Sequence, residues 1–413
     1  MKIAFFVPNS NISKVDFTSV ENGNPGVGGS EYSAILIATA LSERGNVDVI
    51  LLSEKPSTFP KSLKWLACDS LARAIKTSKK LGIDYVVVDG KLLTKDIVCR
   101  FSDIKFIAWA NTFVSPSYYE FYARHDNVVS IVNVGKEELE QTKNTLIYSK
   151  SCFIYNAVPT TIKDEFKDVL LPNADRPNNV CYIGSLHPAK GFQYLAQAWP
   201  SVINRVPDAQ LFVIGSGKLY GRNAKLGEWG IAEESFEKDF MPYIVENGEI
   251  IDSVHFLGIL GKEKYDVLSK CKVGVPNPSG VSETFGYTAV EMEFMDCQVT
   301  TIKCAGYLDT VCDKTNLYSN TDELADYIVR LLKNDSYDNK VVLEYIKQFS
   351  VEKIAEDWEM FFFELNNKEI NTKRNIEHYK YVLSFYMKQA KKAIKHIFKT
   401  ILTVSANRYH CSA

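Results

Sequence analysis

The sequence predicts two doubly wound α/β domains followed by a basic, amphipathic helical tail. Short apolar segments alternate with longer helical patterns, and this alternation starts again after a polar stretch at 172–179. Continuous apolar strands are typical of a parallel sheet that helices cover on both faces. The length of 413 residues also suits two domains of ordinary size. We therefore expect a first domain at 1–172, a second at 178–345 and the tail at 368–413.

The predicted strands share a continuous apolar character, and helical patterns separate many of them. The first domain has predicted strands at Lys2 to Val7, Val47 to Leu52, Tyr85 to Val88, Phe106 to Trp109 and Val128 to Val132. The second has them at Val180 to Ile183, Gln210 to Ile214, Val254 to Leu257, Lys272 to Pro276 and Gln298 to Ile302. Helices are predicted at Glu31 to Leu41, Phe192 to Val206, Lys262 to Cys271 and Val351 to Leu365.

Composition excludes several classes of protein. Hydrophobic residues make up 46% and charged residues 24%, which excludes a mainly disordered chain. The net charge of -2 argues against a nucleic-acid-binding protein. Nine cysteines form no C-x-x-C pair, so neither a zinc ribbon nor a disulfide scaffold is indicated. No apolar stretch approaches the roughly 20 residues of a membrane helix, and the first apolar run is too short for a signal peptide. We expect a cytoplasmic protein.

The strongest functional pattern is a pair of glutamates, Glu283 and Glu291, with seven residues between them. They follow the predicted strand and loop at 272–281, so the segment is expected to open a helix. The Phe285 and Gly286 amides could then donate to an anion or a sugar hydroxyl, and Glu291 could accept from a diol. Because two carboxylates repel a bare phosphate, a phosphorylated sugar fits better. A structural explanation fits the same pattern, because the helix dipole stabilises acidic side chains near a helix N-terminus.

Glycine-rich turns follow three of the predicted strands. Gly28 and Gly29 follow the first strand, Gly184 follows the strand at 180–183, and Gly215 follows the strand at 210–214. Glycine lets the backbone approach a ligand closely, although an ordinary tight turn explains each one equally well. The first turn lacks the G-x-G-x-x-G spacing and a Walker lysine, which disfavours a nicotinamide dehydrogenase.

A lysine follows the Gly184 turn. Lys190 precedes the helix predicted from Phe192, where its ammonium could neutralise a diphosphate. Taken alone, a loop lysine is more often simply solvated.

Taken together, and in their order along the chain, these motifs resemble those of the retaining glycosyltransferases of family 4. That family has the GT-B fold, in which two Rossmann-like domains face a cleft. The resemblance covers roughly residues 1 to 365, and its most specific part is the E-x7-E motif from Glu283 to Glu291. The supporting segments are Gly28-Gly29-Ser30, Lys190-Gly191, Gly215-Ser216-Gly217, Phe256-Leu257-Gly258 and Ala305-Gly306. The helix from Val351 resembles the family's helix that crosses back to the first domain.

The resemblance implies a nucleotide-sugar donor held mainly by the second domain. Glu291 would hold the ribose hydroxyls, and Lys190 would face the diphosphate. Glu283, with the Phe285 and Gly286 amides, would hold the donor sugar. The family transfers the sugar with retention of configuration by front-face attack, so stabilising the leaving phosphate would be the protein's main task.

Further donor contacts are implied at the glycine turns. Gly28 and Gly29 would let the first domain approach the phosphates and the acceptor. The nucleobase would lie near Gly258, and the donor-binding set also includes Gly184, Ser185 and Gly215.

Two positions depart from the family pattern. Ser185 stands where family members often carry an arginine, so a phosphate contact is either missing or supplied elsewhere, with Arg222 and Lys218 as candidates. Asn111 stands where many members have a histidine. Asn111 cannot take a proton, but it could hydrogen-bond a donor-sugar hydroxyl, so we count it with Glu283 and Lys190 as a candidate catalytic residue.

Neither a metal nor another cofactor is expected. No Asp-x-Asp occurs in the chain, and that pattern supplies oxygen ligands for Mg²⁺ or Mn²⁺ in many other glycosyltransferases. Lys190 and helix N-termini would replace the cation.

The tail has two interpretations. An apolar stripe that includes Ile394, Ile397 and Ile401 runs beside several lysines. Such a helix could lie on an anionic membrane surface through residues 370–402, or it could pack on the first domain or on a partner chain. A lipid-linked acceptor suits the first interpretation.

The leading hypothesis is a transferase that moves a sugar to a glycan or lipid-linked acceptor in surface polysaccharide or glycolipid synthesis. The alternative outside the enzymes is a subunit that binds a nucleotide sugar, or acts as a scaffold, with little catalytic activity. Asn111 and Ser185 favour this alternative. A GT-B nucleotide-sugar epimerase is the nearest rival enzyme, although beyond Glu283 no acid–base pair is apparent.

Overall fold

A computed structural model describes residues 1–281, 283–334 and 336–367 of the chain. It contains two parallel sheets, each with helices packed against it. This arrangement confirms the predicted α/β class. The predicted tail at 368–413 lies outside the described residues.

The first sheet has seven strands in the order β3-β2-β1-β4-β5-β6-β7, and every neighbouring pair is parallel. Its strands are β1 Lys2–Val7, β2 Asp48–Ser53, β3 Trp65–Ala67, β4 Tyr85–Asp89, β5 Phe106–Ala110, β6 Val128–Asn133 and β7 Ser151–Phe153. Five of them match the predicted strands. The sequence pattern missed β3 and β7, because each is an edge strand of only three residues.

Five helices accompany this sheet: α1 Gly29–Arg44, α2 Leu71–Leu81, α3 Lys95–Arg100, α4 Pro116–Ala123 and α5 Lys136–Thr142. α1 starts directly after Gly28 and ends at Gly45, whose φ of 71° is the left-handed conformation that favours glycine at a helix end. Most of α1 is buried, from Tyr32 to Leu41. The turn after β1 is therefore held in place by core packing.

The second half of the chain contains a five-stranded parallel sheet and two short strand pairs. The strands are β8 Asn179–Ile183, β9 Gln210–Ile214, β10 Val245–Glu246, β11 Glu249–Ile250, β12 Val254–Gly258, β13 Val273–Gly274, β14 Gln298–Val299, β15 Thr301–Ile302 and β16 Leu317–Tyr318. The sheet order is β12-β9-β8-β13-β14. The strand predicted at 298–302 is split in two, since β15 leaves the main sheet to pair with β16.

Eight helices belong to the described part of this half: α6 Phe192–Arg205, α7 Glu234–Phe240, α8 Lys264–Leu268, α9 Tyr287–Phe294, α10 Ala305–Thr310, α11 Leu324–Leu332, α12 Lys340–Ile346 and α13 Val351–Asn366. α8 is shorter than the helix predicted at 262–271. α13 packs against α1 of the first domain, and Arg44 pairs with Glu359 through two hydrogen bonds of 3.0 and 3.1 Å. The domain bounds at 1–172 and 178–345 stay predictions.

Each large sheet reverses its strand order at one point, between β1 and β4 in the first and between β8 and β13 in the second. At such a point neighbouring connections leave on opposite faces, and a crevice opens at the carboxyl ends of the strands. The loops after these four strands are therefore the places where the fold itself favours a ligand.

Within the described part of the chain, we find no helix with the length and apolar character needed to cross a membrane.

Candidate functional site

A cleft lies between the loops of the two domains. It contains about 820 Å³ of space, part of it open to solvent. Eight of the residues predicted from the sequence line it, namely Gly28, Gly29, Gly184, Ser185, Lys190, Gly215, Glu283 and Glu291. Residues that are more than 250 positions apart in the chain thus meet at one place, and most of them belong to loops at the two switch points.

Two of the glycine turns pack directly against each other. Gly215 has a φ of 143°, and a side chain on it would collide with the Gly184 carbonyl oxygen. The Gly184 amide donates to the Ile214 carbonyl at 3.0 Å. Glycine is required at Gly215 because neither the backbone angle nor the available space admits a Cβ. The floor of the cleft on this side is consequently bare backbone.

Lys190 and Glu283 form an ion pair in the cleft, with 3.0 Å between Nζ and Oε2. The Asn277 amide donates to the same carboxylate at 2.9 Å, and the Gly286 amide does so at 3.2 Å. Burial alone would lower the pKa of Lys190, but the Glu283 charge raises it to about 12. Burial opposes the charged form of Glu283 as well, yet Lys190 and Asn277 hold its pKa below the usual range. Both groups are therefore charged at neutral pH.

Glu291 lies one turn into α9 and is almost completely buried. Its Oε1 is 2.6 Å from the ammonium of Lys264 and accepts a 2.9 Å hydrogen bond from the Tyr265 hydroxyl. Lys264 also donates to the Asn24 carbonyl of the first domain, at 3.4 Å. A buried charge needs such a partner, because desolvation penalises an isolated one.

Sequence reasoning missed Lys264 as a site residue. It lies where α8 begins, and only the packing of α8 against α9 shows that it faces Glu291. The predicted helix at 262–271 contains three lysines, so nothing in the sequence singles out Lys264. Tyr220, which also lines the cleft, gave no signal at all.

Four predicted residues do not line this cleft. Phe285 is buried and packs against Tyr155 and Phe349, while the Gly286 amide is already bonded to Glu283. Gly258 lies just before the lining residues Ile259 and Leu260. Their roles in donor binding stay predictions.

The fourth of these residues, Asn111, lines a separate cavity at the end of β5. Its backbone carbonyl accepts a 2.8 Å hydrogen bond from Thr284 Oγ1. Because Thr284 directly follows Glu283, this bond joins the end of β5 to the Lys190–Glu283 pair. The catalytic role of Asn111 stays a prediction.

Arg222 reaches across the cleft, where its Nη2 donates to the Gly26 carbonyl at 2.6 Å. Ser185 is only 2% exposed and carries no charge. Arg222 therefore brings a guanidinium close to the loop that leads to α1, and its contact with a phosphate stays a prediction.

Among the described residues, no group of three or more His, Cys, Asp or Glu side chains is arranged to hold a metal ion. Metal independence stays a prediction.

Comparison with known proteins agrees with this geometry. Residues 177–334 match the family described as "Glycosyl transferases group 1". This range includes the whole second sheet, Lys190 and both glutamates. A Haemophilus influenzae protein described as an uncharacterized glycosyltransferase is 23% identical, and the match covers 84% of this chain and 99% of that protein.

Solved structures show the same architecture. The Anabaena protein HepE in complex with UDP aligns with a TM-score of 0.58 and 16% identity, over 88% of this chain and all of that one. The apo form of the lipopolysaccharide outer core galactosyltransferase WaaB aligns with a TM-score of 0.55 and 14% identity, over 88% and 99%. At these identities the structures establish the fold alone, which is GT-B. The fold, the family match and the H. influenzae relative together support a glycosyltransferase with the GT-B fold.

Proposed function

We propose that the chain is a retaining glycosyltransferase of family 4 that moves a sugar from a nucleoside diphosphate sugar to a glycan or lipid-linked acceptor. The observation that carries the proposal is the cleft in which a part-buried ion pair, Lys190–Glu283, and a buried one, Lys264–Glu291, meet the bare glycine turns of both domains.

Each ion pair has a distinct task in this proposal. Glu291, oriented by Lys264 and Tyr265, accepts hydrogen bonds from the ribose hydroxyls. Glu283 accepts from the donor sugar, while the Lys190 ammonium stabilises the charge that develops on the leaving diphosphate. Since Lys190 keeps its charge in the part-buried pair, it supplies electrostatic stabilisation without a metal ion.

Two comparisons support the donor and the pathway. HepE was crystallised with UDP, which favours a uridine nucleotide. WaaB acts on the lipopolysaccharide outer core, which favours an acceptor in surface glycan or glycolipid synthesis. We place this reaction in the cytoplasm, with membrane contact through 370–402 as part of the proposal. Liposome binding that is unchanged after deletion of 370–413 would contradict the membrane contact.

A nucleotide-sugar-binding subunit with little turnover remains the second candidate. The buried, uncharged Ser185 and the amide at Asn111 favour it. This candidate predicts nucleotide binding without sugar transfer. The epimerase alternative has no comparable observation in its favour.

Calorimetry with UDP, GDP, dTDP and CMP, each also as common sugar conjugates and without added metal, tests the donor site. We expect one nucleotide to bind. Lys190→Met and Glu291→Gln should each weaken it about tenfold or more, because hydrogen bonds to charged groups contribute about 1.5–3 kcal/mol.

Lys262→Met is the matched control, since Lys262 lies two residues from Lys264 in a half-exposed ion pair with Glu165. It should bind the nucleotide as the parent does. If no nucleotide binds the parent, or if both site variants bind as tightly as the parent, the donor-site assignment is wrong.

A further inference from the structure

A loop of the second domain reaches over the donor cleft. The segment between β9 and α7, at 215–233, contains neither helix nor strand and carries five glycines, so its shape depends on individual contacts. The base of this segment is closed by a bond of 2.9 Å from the Gly217 amide to the Ile231 carbonyl. Residues 218–230, which we call the cleft loop, therefore leave the domain and return to it at nearly the same point.

The cleft loop is attached to the first domain at its far end. The Arg222 guanidinium donates to the Gly26 carbonyl at 2.6 Å, and the Asn11 side-chain amide makes a longer contact of 3.5 Å with the Tyr220 carbonyl. The Tyr220 ring lies against Gly28, since a Cβ placed on that glycine would be 3.6 Å from the ring. The loop thus bridges the two domains and holds Tyr220 at the turn that leads to α1.

The Tyr220 hydroxyl is available to a ligand. Tyr220 lines the cleft, and its hydroxyl makes no hydrogen bond to any residue that the structure describes. The residue as a whole is 53% exposed, yet burial around the hydroxyl raises the pKa of Tyr220, with Lys190 opposing this rise and Glu283 adding to it. The hydroxyl therefore lies within electrostatic reach of the Lys190–Glu283 pair and keeps the proton that it would donate.

The charge of the cleft indicates what such a donor would bind. The charged side chains in the described lining are Lys190, Lys264, Glu283 and Glu291, and each lysine is paired with a glutamate. The described lining thus has no net charge and no unpaired cation. A diphosphate that enters it loses hydration and needs further hydrogen-bond donors. A phenol hydroxyl supplies a charge-assisted bond of that kind without adding another ammonium.

The position of the hydroxyl indicates which phosphate it would contact. In the proposed function, Glu283 holds the donor sugar and Lys190 stabilises the leaving diphosphate. These two residues are also the ones whose charges act on the Tyr220 hydroxyl. The phosphate that carries the sugar lies between the two groups that Glu283 and Lys190 bind, so it is the phosphate that the hydroxyl would reach.

We propose that Tyr220 is a donor-binding residue whose hydroxyl donates to the sugar-bearing phosphate of the nucleoside diphosphate sugar, and that the cleft loop holds it there. This proposal rests on the proposed function, since it adds a residue to the donor site of that same reaction. It gives the diphosphate a contact that the buried, uncharged Ser185 leaves open. The Arg222 bond to Gly26 then serves to anchor the loop.

The test compares the nucleoside diphosphate that calorimetry selects with the monophosphate of the same nucleoside, on the full chain. The affinity of the monophosphate is measured by its displacement of the diphosphate. Tyr220→Phe should weaken the diphosphate about tenfold or more, as expected when a hydrogen bond to a charged group is lost, and should leave the monophosphate unchanged. The matched control is Tyr243→Phe, because Tyr243 is 42% exposed and lies outside the cleft lining. It should bind both nucleotides as the parent does.

A thermal melt without nucleotide separates this role from a structural one. Tyr220→Phe keeps the ring beside Gly28 and the anchor from Arg222 to Gly26, so it should melt at the parent temperature. A hydroxyl that serves the fold would instead lower the melting temperature when it is removed.

The outcomes distinguish the two proposals. A diphosphate that binds Tyr220→Phe as tightly as the parent overturns this inference and leaves the donor site standing. Equal weakening of the diphosphate and the monophosphate also overturns it, because the hydroxyl then does not contact the sugar-bearing phosphate. A lowered melting temperature overturns it in favour of a structural hydroxyl. Absence of diphosphate binding in the parent overturns the proposed function and this inference together.

Discussion

Glutamates two residues apart on α9 have opposite environments. Glu291 faces the cleft and is paired with Lys264, whereas Glu293 points into the core. Glu293 Oε1 accepts from the Cys312 amide at 2.8 Å, and its Oε2 has no partner among the described residues. Burial raises the pKa of Glu293 to about 8. The same helix thus carries one carboxylate that is ion-paired beside the cleft and one that is protonated at neutral pH.

Glu293 should make stability depend on pH. Its folded pKa lies above its unfolded value of about 4.3, so between these two values the folded state binds more protons than the unfolded state. The free energy of unfolding should therefore fall as the pH rises through this window, by up to about 1.4 kcal/mol per pH unit. Glu293→Gln should remove this contribution.

Urea unfolding of parent and Glu293→Gln at pH 6 and pH 8 checks this prediction. The variant should lose less stability than the parent between the two values. Burial also raises the pKa of Glu138 to about 8. Glu138 will therefore contribute part of the pH dependence of the unfolding free energy in both proteins. Equal slopes in parent and variant would contradict the assigned burial of Glu293.

At the scale of elements, α13 joins the end of the described chain to the core of the first domain. Ser350 caps the helix by accepting from the Lys353 amide at 3.3 Å. Trp358 is fully buried, with its ring 5.7 Å from that of Phe5 and 5.0 Å from that of Trp109. Because Trp109 also lines the cavity that contains Asn111, α13 packs against one wall of that cavity.

Trp358→Ala should destabilise the protein by about 3–5 kcal/mol, because it removes a large buried side chain and leaves a hole. Phe363→Ala on the same helix is the matched control. Phe363 is 61% exposed, so its truncation should change stability by no more than about 0.5 kcal/mol. Chemical denaturation measures both, and similar losses would contradict the packing of α13.

The sequence predicted elements well where the chain is apolar and continuous. β1, β9 and α6 match their predicted ranges to within one residue, since burial on both faces leaves an unmistakable pattern. The edge strands β3 and β7 were missed, because a run of three residues is too short to form a recognisable pattern. The split of β14 from β15 depends on a partner strand that no local pattern reveals.

The sequence predicted those residues of the candidate site that belong to recognisable motifs. Glu283 and Glu291 were found from their spacing and Lys190 from its place between a glycine turn and a helix, and the structure brings all three to one cleft. Lys264 was missed because its contact with Glu291 exists only when α8 packs on α9.

At the scale of the whole molecule, hydrogen bonds span the cleft at several points. The bonds from Arg222 to Gly26, from Lys264 to Asn24 and from Thr284 to Asn111 each join the two halves. A fourth contact runs from the Glu137 amide to the Asp309 carboxylate, at 2.9 Å. Two of these bonds involve residues that adjoin the proposed donor groups. We therefore expect donor binding and the closeness of the two domains to depend on each other.

The most direct test of the account is whether the nucleotide conjugate that binds is also turned over. The measurement is release of the nucleoside diphosphate by the full chain, with and without a panel of glycan and lipid-linked acceptors. We predict that an acceptor accelerates release and that Glu283→Gln reduces the accelerated rate at least about a hundredfold, as expected for lost transition-state stabilisation. Tight donor binding with no acceptor-dependent release would contradict the transferase assignment and identify a binding subunit instead.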